Sequence, residues 1–125
     1  MSGDGRIRSY RDLDVWQVAM TLAEMCYHDT KDFPRDEVYG MTSQIRRAAT
    51  SIPANIAEGY GRESTGAYIQ FLRVAQGSVK ELETHLMLAE RVRLMSLENS
   101  EKSLAECERV SKMLRNLIRS LEAKS

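Results

Sequence analysis

Apolar residues recur along most of the chain at the three- and four-residue intervals of an amphipathic helix, in four separate stretches. In the first, Val15, Ala19, Leu22 and Cys26 keep a 4-3-4 spacing, and Trp16, Ala23 and Tyr27 widen the stripe. The spacing predicts a helix over residues 12–31, capped by Asp12. Asp32-Phe33-Pro34 ends it, because the residue before a proline is pushed out of the αR region. In the second stretch, residues 41–58, one face carries Met41, Ile45, Ala48, Ile52 and Ile56. Pro53 lies inside this helix, where it removes a backbone N–H at an expected cost of ~3 kcal/mol unless the helix kinks. Gly59 offers a left-handed exit from it.

The third stretch, residues 65–93, is the most regular. Tyr68, Leu72, Ala75, Val79, Leu82, Leu86 and Ala89 repeat at 4-3-4-3-4-3, a seam of coiled-coil type, with Ser64 placed to cap it. The fourth, residues 97–122, begins after Ser96 or after Ser100 and aligns Leu104, Cys107, Val110, Leu114, Leu117 and Leu121. Four amphipathic helices with short connections predict an all-α fold, an antiparallel up-down-up-down four-helix bundle forming one domain over residues 1–125. The last two helices exceed the first two in length, so their joined tip is expected to overhang. Gly77, deep in the longest helix, is costly there. A close approach by the facing helix near Ile45 and Ala48, or by a neighbouring subunit, would account for it; so would chance.

Composition agrees with a globular helical domain. Of 125 residues 42% are hydrophobic and 29% charged, and only two are proline, few for a many-turned β fold. No stretch has the apolar character of a signal segment or a membrane span, which points to a cytoplasmic protein with no membrane contact. Cys26 and Cys107 form no CxxC pair and sit within apolar seams at similar heights, where they read as core thiols.

Catalytic signatures are sparse. The two histidines each follow a glutamate by four residues, as Glu24/His28 and Glu81/His85. A bundle di-iron site requires a three-residue interval and further inward glutamates, so these read as solvated Glu–His pairs. A helical RNA nuclease with an arginine several residues ahead of its histidine is excluded, since residues 21–23 and 78–80 contain none. There is no P-loop, GxSxG or HExxH motif. The expectation is a protein that is not an enzyme, with no cofactor and no metal.

Charge carries more information. Lys plus Arg and Asp plus Glu are both 18, yet the balance alternates along the chain. Residues 1–40 carry a net −3, residues 41–75 +2, residues 76–108 −3 and residues 109–125 +4. Arg109, Lys112, Arg115 and Arg119 form one stripe, and Arg46, Arg47 and Arg62 add to the second region. With the N-terminal Arg6, Arg8 and Arg11, these are expected to gather at one end of the bundle. Such an end could hold a phosphate backbone, meet the acidic region of another subunit, or be a solvated helix face. A polar stripe on the second helix (Gln44, Arg47, Ser51, Asn55, Glu58 and Arg62) either faces water or bonds another chain.

The run SQIRRAATSIPANIAEGYGR, residues 43–62, resembles the signature of small four-helix-bundle proteins encoded in intervening sequences of bacterial 23S rRNA genes. LDVWQVA, FPRDEVYGM, FLRVAQGSVKELETHL and MLRNLIRSL follow that family's pattern in order, while LMSLENSEKS departs from its usual tip. The resemblance implies an antiparallel bundle and a homo-oligomer, a ring-shaped homopentamer in several members. It also implies likeness to the accessory protein of diversity-generating retroelements, which partners a reverse transcriptase and RNA. The function expected on both grounds is a non-catalytic, homo-oligomeric, RNA-associated adaptor contacting phosphate through Arg46, Arg47, Arg62, Arg109, Lys112, Arg115 and Arg119. The alternative is a protein-interaction scaffold, for example a partner of a reverse transcriptase, without RNA contact.

Overall fold

A computed structural model describes residues 6–124 of the chain. Four helices dominate it: α1 (Asp14–Thr30), α2 (Met41–Tyr60), α3 (Thr65–Arg91) and α4 (Leu97–Lys124). Short 3-10 turns at Tyr10–Asp12 and Arg35–Glu37 precede α1 and α2. Each helix packs against its sequence neighbours and α1 closes against α4, while the backbones of the diagonal pairs α1/α3 and α2/α4 stay more than 8 Å apart at their Cα atoms. The result is the all-α four-helix bundle that the periodicity predicts. At 1.5 Å per residue, α3 and α4 each reach about 40 Å, well beyond α1. Leu88, Val92 and Leu97 at their joined tip are exposed.

The core follows the seams closely. Val15, Ala19, Leu22 and Cys26 face Ile45, Ala49, Ile52 and Ile56, and Leu72, Val79, Leu82 and Leu86 complete it with Val110 and Leu114. Segment four is turned slightly from expectation: Ile118 is buried in place of Leu117 and Leu121, which are half-buried. Polar groups inside are all partnered among the described residues. Ser103 Oγ donates to Asp29 Oδ2 at 3.0 Å, tying α4 to α1, and Thr30 Oγ1 donates to the Cys26 carbonyl at 2.8 Å.

Several end signals act differently from their sequence reading. Asp12 does not cap α1; its carboxylate accepts from the Arg8 and Ser9 amides at 2.9 and 3.3 Å, closing the preceding 3-10 turn. α2 is capped by Glu37, whose Oε1 accepts from the Met41 amide at 3.0 Å. Ser64 caps α3 as expected, accepting from Ala67 N at 3.1 Å, and Ser96 caps α4 through Asn99 N at 3.1 Å. α3 ends at Arg91, and Arg93 adopts a positive φ of 67°. Its amide bonds the Glu90 carbonyl while the Leu94 amide bonds that of Ala89, a Schellman arrangement that glycine usually fills.

The glycines also exchange roles. Gly59 lies inside α2, buried, and a Cβ there would stand 2.7 Å from the Phe71 Cβ and 3.2 Å from the Tyr68 carbonyl. It is therefore the contact point of α2 and α3 rather than a helix exit. Gly77 has nothing within 4 Å of a would-be Cβ, so no close approach by the facing helix of the same chain explains it. α2 continues through Pro53.

Candidate nucleic-acid interface

The basic stripe of α4 is built by helical geometry. The buried residues Cys107, Val110, Leu114 and Ile118 fix the inward face, and Arg109, Lys112, Arg115 and Arg119 turn to the opposite side and are exposed. From Arg109 to Arg119 they cover about 15 Å of helix. Arg109 lies 3.9 Å from Glu106 and Lys112 lies 3.6 Å from Glu108, exposed pairs of little net strength. Arg115 and Arg119 have no carboxylate within ion-pair distance among the described residues. Between Arg109 and Leu121 the helix carries no acidic residue.

Arg46, Arg47 and Arg62 do not join this stripe. Arg46 sits at the C-terminal end of α1, where Nε donates to Thr30 Oγ1 at 2.9 Å and Nη2 to the Tyr27 carbonyl at 3.4 Å. Its guanidinium lies 4.4 Å from the Tyr27 ring centroid, so the side chain is occupied in joining α2 to α1. Arg47 is exposed beside it on α2, diagonal to α4. Arg62 lies sixteen residues further along, about 24 Å away at the other end of the bundle. It stacks 4.6 Å from the Phe71 ring centroid and lies 3.9 Å from Glu58. The expected gathering at one end is corrected for Arg46 and Arg47, which lie at the opposite end beside Thr30, whereas Arg62, over Phe71, shares the end where Arg73 pairs with Glu122 and α4 finishes. Arg11, near the Arg62 end, stacks 5.1 Å from the Tyr10 ring centroid.

The polar stripe of α2 divides as well. Ser51 Oγ and the buried Ser78 hydroxyl of α3 are 2.8 Å apart, and Asn55 Nδ2 donates to Ser51 Oγ at 3.0 Å. These central residues are half-buried and bond within the chain.

A second feature was not anticipated. A groove of about 480 Å³ runs between α1 and α2, lined by Tyr10, Trp16, Met20, Tyr27, Pro53 and Ala54, with Glu24 at its edge. Tyr10 packs edge-on against Trp16, ring centroids 5.3 Å apart, and closes one end. The signal was present in the sequence, since Trp16, Met20, Ala23 and Tyr27 form a second 4-3-4 stripe beside the core stripe.

Residues 11–116 match the family model described as 23S rRNA-intervening sequence protein. The chain belongs to that family. Among solved structures it is similar to a protein of unknown function from the S23 ribosomal protein family of Bacteroides thetaiotaomicron VPI-5482. The two share 26% identity and a TM-score of 0.78, over 84% of this chain and 95% of that one. No curated protein matches.

In this member of the 23S rRNA-intervening sequence family the histidines and cysteines lie apart from the stripe. His85 Nε2 lies 3.4 Å from Glu81 Oε2, whereas His28 is exposed on α1, diagonal to α3. The two Glu–His pairs therefore do not converge, and no metal-binding cluster occurs among the described residues. Cys26 and Cys107 are buried free thiols on adjacent helices. Burial, with the Asp29 carboxylate adding to it, pushes the Cys26 thiol up from 9.0 to about 12. Burial first, and then Cys26, raises Cys107 in the same direction. Both thiols stay protonated and poorly nucleophilic at neutral pH. Among the described residues no helix is long and apolar enough to cross a membrane.

Proposed function

We propose that this chain is a non-catalytic, homo-oligomeric, RNA-associated adaptor. The observation that carries the reading is the carboxylate-free run on α4, with Arg115 and Arg119 exposed and unpaired among the described residues. Such a face lowers its energy by displacing counterions from a phosphate backbone. The site is reduced from seven residues to four: Arg109, Lys112, Arg115 and Arg119. Arg46 and Arg62 serve α1 and α3 contacts, and Arg47 stands apart.

Self-association is assigned to the α1–α2 face. Met20 and Tyr27 there are exposed apolar side chains beside a groove whose lining is almost wholly apolar, the composition of an interface centre. This face and the α3–α4 face lie on opposite sides of the bundle, so subunits joined through the first leave the α4 stripe uncovered.

Filter binding to structured RNA across a salt series tests the reading. Four phosphate contacts give an affinity that falls about 100-fold between roughly 50 and 200 mM salt. No binding at about 50 mM salt, where counterion release is most favourable, ends it. The groove also favours a second reading, a protein-interaction scaffold without RNA contact; an intact assembly that ignores RNA would select it.

A further inference from the structure

The outer face of α4 is specific enough in its chemistry to say which form of RNA fits it. We propose that it receives the sugar-phosphate backbone of double-helical, A-form RNA in preference to single-stranded RNA. This rests on the RNA-associated reading above and goes beyond it by naming the form of the ligand.

Three observations point there. The first is the donor set. Arg109, Lys112, Arg115 and Arg119 are accompanied on the exposed side by Asn116 and Ser120, all able to donate to phosphate or 2′-hydroxyl oxygens. At about 100° per residue these six side chains fall within roughly 140° of arc, opposite the buried positions. Double-stranded RNA is recognised through those same atoms, across a wide and shallow minor groove.

The second is the absence of a stacking platform. Single-stranded readers hold successive bases against aromatic rings along a cationic groove. α4 contains no aromatic residue, and the eight of the chain lie at Tyr10, Trp16, Tyr27, Phe33, Tyr39, Tyr60, Tyr68 and Phe71. Lys112 and Arg115 of the stripe also line a concavity of about 450 Å³ between α3 and α4, together with Lys80, Glu83 and Glu108. A strand laid there would meet carboxylates.

The third separates RNA from a protein partner. Between Glu98 and Lys124 the exposed residues of α4 are charged or polar apart from Ala105 and Ala123. A stable protein interface needs an apolar centre; the outer surface of α4 has none, and Met87 and Leu104 lie only in the groove at its margin. A second copy could oppose the acidic Glu98, Glu101 and Glu108 to the basic stripe, but exposed ion pairs alone contribute little.

The experiment uses the full chain, a fluorescent RNA duplex of about 20 base pairs, and one of its strands alone, titrated at about 50 and 150 mM salt. The duplex is expected to bind roughly tenfold or more tightly than the strand, since the strand gains no stacking. R115E/R119E is expected to weaken duplex binding by at least about tenfold while circular dichroism and the mass by light scattering stay unchanged. R115Q/R119Q replaces it if the reversed variant misfolds. A strand bound as tightly as the duplex overturns this inference and leaves the RNA-associated reading standing. Failure to bind either RNA removes that reading itself. Wild-type duplex affinity in the variant overturns the placement on α4, and a variant of reduced mass assigns the stripe to contact between copies.

Discussion

Gly59 and Gly77 show how one residue type serves two opposite situations. At Gly59 a methyl group would collide with the Phe71 Cβ and with backbone, neither of which can rotate away. Gly59→Ala is expected to lower stability by about 1–3 kcal/mol, the usual cost of overpacking. Gly77→Ala meets open space on an exposed helix interior and is expected to raise stability by roughly 1 kcal/mol. Urea denaturation of the two variants checks both signs. The buried thiols give a pH dependence. Because the folded state holds the Cys26 proton to about 12 and the unfolded chain releases it near 9.0, the stabilisation is complete below pH 9 and lost as pH rises towards 12. The urea midpoint is therefore expected to fall between pH about 8 and 10, by an amount worth up to ~1.4 kcal/mol per thiol per pH unit, and Cys26→Ala to flatten that fall.

The helices were readable because each keeps its apolar seam for several turns. Leu72, Val79, Leu82 and Leu86, all buried, are the residues the heptad spacing selects. The ends were less readable, since a carboxylate can serve either of two adjoining turns. Asp12 closes the turn before α1, and Glu37 reaches from a 3-10 turn to cap α2. The cationic site was misjudged for a physical reason. The net +2 of residues 41–75 is divided equally between α2 and the residues that follow it, so Arg46 and Arg62 share a charge sum without sharing an end. Reversal of chain direction at residues 31–40 places Arg46 beside Thr30, and there it secures the C-terminal end of α1. Arg46→Ala is expected to cost about 1 kcal/mol of stability, through a lost charge–dipole and cation–π contact, and to leave RNA affinity unchanged. A stability loss without an affinity loss confirms the structural role; the reverse result returns Arg46 to the binding site.

At the scale of the molecule, the arrangement of helices around the bundle decides what can happen at once. α2 is diagonal to α4, so the α1–α2 groove and the α4 stripe face away from each other. One side is an apolar groove, the other a cationic helix face. On the function proposed above, the two surfaces are expected to take different partners, and occupation of one to leave the other free. Sedimentation velocity of the chain with a fluorescent RNA duplex tests this separation directly. In the wild type the RNA is expected to sediment with an oligomer; in R115E/R119E the protein is expected to keep that oligomeric size while the RNA sediments free. An R115E/R119E protein that falls apart, or one that still carries the RNA, would contradict it.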